Sequence, residues 1–137
     1  MNSGGEDILR VVNRTRGILL GDKVRTADTF LSRLVGILGT SSIAEGEGLW
    51  IVPCRGVHTL GMRVPIDVAF LDAQGVVVGI LGGLPPNRFG GLVRGARGAL
   101  ELRSGILAAT GTAPGDRIEF EGGGGLTPPA GGCYINY

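Results

Sequence analysis

Residues 53–72 hold the chain's single histidine, one of its two cysteines and one of its two methionines. Cys54, His58 and Met62 are spaced four residues apart, so they share one side of either an extended or a helical segment. Thiolate, imidazole and thioether together form a soft ligand set that suits copper. Soft-metal binding is therefore one hypothesis for this segment. The alternative is that all three side chains belong to the core.

A nucleophilic site is a second hypothesis for the same segment. Cys54 would be the thiolate, His58 the general base and Asp67 the residue that orients the imidazole, as in a hydrolase or transferase. The residues around the cysteine show no nucleophile elbow and no helix N-terminus. These three residues are therefore candidates only, and no catalytic residue is assigned. Zinc hydrolysis is disfavoured because the chain has one histidine and no paired-cysteine motif.

Two carboxylates interrupt strongly apolar runs. Asp67 has apolar neighbours on both sides, and Glu101 lies between two leucines. A buried carboxylate requires a hydrogen-bonding or charged partner, and for Asp67 the candidates are His58, Arg63 and Arg94. Such a carboxylate either forms an ion pair that fixes strand register or pins a loop, or it anchors a ligand.

The elements that would position these residues are mostly short strands. Alternating and continuous apolar runs predict strands at 9–13, 18–26, 49–52, 66–71, 76–81, 98–102 and 117–120. Apolar residues at helical spacing predict a helix at 28–39, and residues 104–110 read as a short helix or turn. The breaker-rich segment 82–91 is predicted to be a loop.

Strands do not alternate regularly with crossover helices, which argues against a doubly wound parallel sheet. We predict a mainly β fold, either an antiparallel jelly-roll-like sandwich or a partly open barrel, with one short helix packed on it. Residues 8–121 would form the single domain, and the Gly/Pro-rich residues 122–137 a flexible tail.

Composition and charge limit the classes of partner and cofactor that the sequence predicts. Thirteen basic and twelve acidic residues leave a net charge of +1, without the basic stripe that would bind nucleic acid or an anionic membrane. The glycine-rich stretches match neither a dinucleotide fingerprint nor a phosphate-binding loop, so no cofactor is predicted. The polar N-terminus lacks the pattern of a secretory signal, which predicts a cytoplasmic protein as the chain is written, or an exported one if a leader has been removed.

A set of short motifs recurs along the chain in a characteristic order. They lie at 13–15, 27–29, 32–39, 47–50, 53–54, 57–59, 61–62, 65–72, 93–96, 100–102, 105 and 115–118. In this order, over about residues 8–121, they resemble domain-of-unknown-function family 192 (DUF192), a group of small uncharacterised bacterial and archaeal proteins. Two features depart from the family: many relatives carry an export signal, and residues 122–137 have no counterpart.

The resemblance implies a compact, jelly-roll-like, mainly β fold with a small helical element and no settled activity. The family's characteristic Cys, His, Met and Asp positions match Cys54, His58, Met62 and Asp67. Its arginine and glutamate positions match Arg94 and Glu101.

The leading hypothesis is a non-enzymatic module that binds a small polar molecule, such as a carbohydrate. His58, Asp67, Arg94 and Glu101 would bind the ligand within one apolar-walled pocket. The hydrolase or transferase and the copper protein are the alternatives.

Overall fold

The computed structural model describes residues 8–27, 45–52, 65–85 and 93–122. Within these ranges, seven strands and one short helix form. They are β1 (Ile8–Asn13), β2 (Ile18–Ala27), β3 (Glu47–Ile51), β4 (Ile66–Leu71), β5 (Val77–Leu84), β6 (Gly98–Arg103), α1 (Ile106–Thr110) and β7 (Ile118–Glu121).

The strands form one curled sheet with the order β5-β4-β6-β3-β2-β1-β7. Neighbours pair antiparallel except β2 and β3, which are parallel. The two edge strands approach each other at one end, where Val77 N–H donates to the Asp116 carbonyl and Ile118 N–H to the Gly75 carbonyl, both at 2.8 Å. The sheet is therefore a half-barrel. This confirms the predicted mainly β fold in its partly open form. The described strands make one continuous sheet, so the jelly-roll sandwich is not confirmed.

Most predicted strands are present, with small shifts of their ends. One prediction is wrong: β5 continues to Leu84, although a loop was expected from residue 82. The strand tolerates Gly82 and Gly83 at its end because Gly83, at a φ of +65°, still donates its N–H within the protein, to Asp67. The observed helix lies where residues 104–110 predict a helix or turn, between Gly105 and Gly111 in left-handed conformation. The helix predicted at 28–39 lies outside the described residues.

The main core fills the concave side of the half-barrel, because its buried side chains come from all seven strands and from α1. Trp50 and Phe120 stack in its centre with ring centroids 4.9 Å apart at 51°. A second cluster lies on the opposite face, built on Ile66, Val68 and Phe70 of β4. Strand β4 is therefore buried on both faces, which explains its nearly continuous apolar run.

Gly98 is required for the packing of Trp50. A Cβ at this position would lie 2.6 Å from Trp50 Cζ2 and 3.0 Å from the Ile51 carbonyl oxygen. We expect Gly98→Ala to lower the free energy of unfolding by about 2 kcal/mol, because the ring must shift within a close-packed core. Urea unfolding followed by the fluorescence of Trp50, the only tryptophan, measures this.

Gly82→Ala is the matched control, because a Cβ at Gly82 meets no atom within 4 Å and its φ is not positive. This variant should unfold within about 0.5 kcal/mol of the wild type. Equal midpoints for the two variants would contradict the packing argument.

Candidate functional site

Three of the residues singled out for chemistry, Cys54, His58 and Met62, lie outside the described residues. The nucleophile and copper hypotheses therefore stay predictions. Arg94 is exposed in the turn that precedes β6. The remaining two residues, Asp67 and Glu101, are both buried, with 1% and 3% of their surface exposed.

Asp67 lies on β4, and the described groups that bond to its carboxylate are all backbone N–H groups. Its Oδ1 accepts a hydrogen bond from Gly83 at 2.8 Å, and its Oδ2 accepts from Gly105 at 3.0 Å and Leu107 at 2.9 Å. Arg94, the predicted partner that the structure describes, does not bond to Asp67. The other two, His58 and Arg63, lie outside the described residues, so those pairings stay predictions. The carboxylate joins β5 and the first turn of α1 to β4, so its structural role is to pin these two segments.

Local backbone conformation makes this arrangement possible. Gly83 and Gly105 adopt φ angles of +65° and +97°, which L side chains rarely adopt, and these conformations accompany the turning of both N–H groups toward Asp67. The N–H of Leu107 belongs to the first turn of α1 and has no acceptor within so short a helix. One carboxylate thus satisfies donors from two separate segments.

Glu101 lies on β6 between two apolar neighbours, Leu49 of β3 and Val68 of β4. The register also pairs Asp67 with Leu102, and successive residues of a strand point to opposite faces. Asp67 and Glu101 therefore project from opposite faces of the sheet. The prediction that both carboxylates line one pocket is corrected, and ligand binding by His58 or Arg94 stays a prediction.

The electrostatics of Glu101 differ from those of Asp67. Burial raises the pKa of Glu101 to about 7. Among the described residues, none donates a hydrogen bond to this carboxyl group or forms an ion pair with it. At neutral pH the group exists in both protonation states, so it can donate or accept a hydrogen bond.

A further polar network was not predicted from the sequence. Asn13, fully buried, donates through Nδ2 to Thr112 Oγ1 at 3.0 Å and to Asp116 Oδ2 at 2.9 Å. Arg16 Nε also donates to Asp116 Oδ2, at 2.6 Å. The Arg16 and Asn13 hydrogen bonds lower the pKa of Asp116. The available signal was an asparagine ending an apolar strand, but its partners are about a hundred residues away. The network joins β1 to the turn before β7 and is structural.

Within the described ranges, no three His, Cys, Asp or Glu side chains are grouped so that they could hold a metal ion. In the same ranges, no helix has the length and apolar character needed to cross a bilayer.

The model of the family DUF192, described as Uncharacterized ACR, matches residues 11–120. The chain belongs to this family. This DUF192 protein is also similar to two archaeal UPF0127 proteins. The protein of Pyrococcus furiosus is 33% identical over 115 residues, which cover 80% of this chain and 97% of that protein. The protein of Thermococcus sibiricus is 30% identical over 116 residues, which cover 81% of this chain and 74% of that protein.

Two crystal structures share the fold of this DUF192 protein. A protein of unknown function from Novosphingobium aromaticivorans superposes with a TM-score of 0.69 at 18% identity, covering 85% of this chain and 94% of that chain. A protein from Sinorhizobium meliloti superposes with a TM-score of 0.67 at 22% identity, covering 92% of this chain and 99% of that chain. At these identities the likeness concerns the fold alone.

Proposed function

We propose that this DUF192 protein is a non-enzymatic module that binds a small polar molecule, with Glu101 as the hydrogen-bonding anchor. The observation that supports this is the contrast among the buried carboxyl groups. Asp67 and Asp116 each accept three or more hydrogen bonds, whereas Glu101 accepts none from the described residues. Glu101 is 3% exposed, and a ligand that hydrogen-bonds its carboxyl group would recover part of the hydration that the group loses on burial.

The surroundings of Glu101 suit a small ligand with polar groups on an apolar frame. Leu49 and Val68 flank the carboxyl group, so its hydrogen bond would form among apolar walls, as in most small-molecule sites. Asp67 is left out of the proposed binding set, because its two oxygens are engaged by backbone N–H groups.

The test follows the side-chain carboxyl resonance of Glu101 by ¹³C NMR in glutamate-labelled protein, assigned with Glu101→Gln. The probes are D-glucose, glycerol, D-glycerate and ethanolamine. We expect at least one probe to shift this resonance saturably. We also expect Glu101→Leu, which keeps a buried side chain of similar size, to weaken that probe's affinity by at least about tenfold.

Glu119→Gln is the control, because the Glu119 side chain is 40% exposed and pairs with Arg14 at the surface. It should leave the affinity unchanged. If none of the four probes moves the Glu101 resonance, the proposal is rejected.

A further inference from the structure

On the sheet face that carries Glu101, the described basic residues outnumber the described acidic ones. The register places this face, here called the Glu101 face, opposite the main core across β2, β3 and β6. Its charged members among the described residues are Lys23, Arg25, Glu47, Glu101 and Arg103, and Leu49, Ile51 and Ala99 are apolar members. Three of these described charged residues are basic and two are acidic, so they carry a basic surplus even when both acids are ionised. Such a surplus disfavours a cationic ligand and favours an anionic one.

Arg103 is the basic residue best placed to act together with Glu101. The two are separated by one residue on β6, so their Cα atoms lie about 7 Å apart and their side chains leave the same face. Arg103 is exposed, and it forms no ion pair or hydrogen bond with another described residue. By contrast, Arg10 and Arg14 pair with glutamates of β7.

We infer that the ligand of the proposed function is a small hydroxy-carboxylate, whose hydroxyl group hydrogen-bonds Glu101 and whose carboxylate pairs with Arg103. The inference rests on the proposed function and adds the ligand class. A guanidinium binds a carboxylate through two parallel N–H···O bonds, which a hydroxyl group cannot replace. A neutral polyol would hydrogen-bond Glu101 but would leave Arg103 without a counter-charge. A protonated amine would be repelled by the basic residues of this face.

Two of the probes form a matched pair for this inference. Glycerol differs from D-glycerate by carrying a hydroxymethyl group in place of the carboxylate. We expect glycerate to bind the wild type at least about tenfold more tightly than glycerol, as measured by titration of the Glu101 resonance. Arg103→Gln should reduce the affinity for glycerate to that for glycerol. Arg10→Gln, which removes an exposed arginine from β1, should leave both affinities unchanged.

The outcomes separate the two proposals. If glycerol or ethanolamine binds as tightly as glycerate, or if Arg103→Gln leaves glycerate binding unchanged, the ligand class is wrong while the anchoring role of Glu101 stands. If no probe, including glucose, moves the Glu101 resonance, the proposed function and this inference fail together.

Discussion

Asp67→Asn is expected to lower the free energy of unfolding by about 3–5 kcal/mol, through the loss of charge-assisted hydrogen bonds in a buried site. An amide nitrogen at the position of Oδ1 would face the N–H of Gly83. At the position of Oδ2 it would face the N–H groups of Gly105 and Leu107. In either orientation a donor faces a donor, and at least one buried N–H loses its acceptor.

Urea unfolding at pH 7 measures this effect. The control is Asp22→Asn, since the Asp22 side chain is 50% exposed and its ion pair with Lys23 is long at 3.6 Å. Amide hydrogen exchange adds a local readout: Gly105 and Leu107 should exchange faster in Asp67→Asn. Unfolding midpoints that coincide for the two variants would show that Asp67 does not pin α1.

Glu101→Gln is expected to change how stability depends on pH. The pKa of Glu101 is raised from 4.5 to about 7 in the folded protein, so ionisation is harder in the folded state than in the unfolded state. The stability associated with the protonated group is complete below pH 4.5. It is lost progressively as the pH rises to about 7. The shift corresponds to a loss of about 3 kcal/mol by pH 8.

Glutamine does not titrate, so Glu101→Gln should lack this loss. The free energy of unfolding of Glu101→Gln, relative to that of the wild type, should therefore rise by about 3 kcal/mol from pH 4 to pH 8. Urea unfolding of both proteins at pH 4, 6 and 8 measures the difference, with Glu119→Gln as the exposed control. Parallel pH profiles for the wild type and Glu101→Gln would disprove the raised pKa.

This pH dependence also bears on the proposed function. A ligand that hydrogen-bonds Glu101 would replace part of the hydration that the carboxyl group loses on burial. A bound ligand that accepts or donates at this position should therefore alter the pH profile of the wild type but not that of Glu101→Gln.

Several features were predictable from local sequence. The bounds of β4 match the prediction, because residues 66–71 are apolar except for Asp67 and lie between a proline and an aspartate-led turn. The turn itself follows from Asp72, whose Oδ1 accepts hydrogen bonds from the N–H groups of Gln74 and Val76. The burial of Asp67 and Glu101 was also predictable, since each lies within an apolar strand.

The partners of those carboxylates were not predictable in the same way. Gly83, Gly105 and Leu107 lie 16, 38 and 40 residues from Asp67. They meet it only because β5 pairs with β4 and α1 packs against the half-barrel. No local sequence pattern distinguishes an aspartate that accepts hydrogen bonds from backbone N–H groups from one that pairs with a histidine or arginine side chain.

By itself, the sequence determined that the chain is mainly β, where most strands lie, and that Asp67 and Glu101 are buried. These features follow from the period and apolarity of neighbouring side chains. The tertiary structure alone decided that Asp67 and Glu101 point to opposite faces and that only Asp67 is saturated with N–H donors. Strand register and distant backbone donors control these outcomes, and both are set when the sheet assembles.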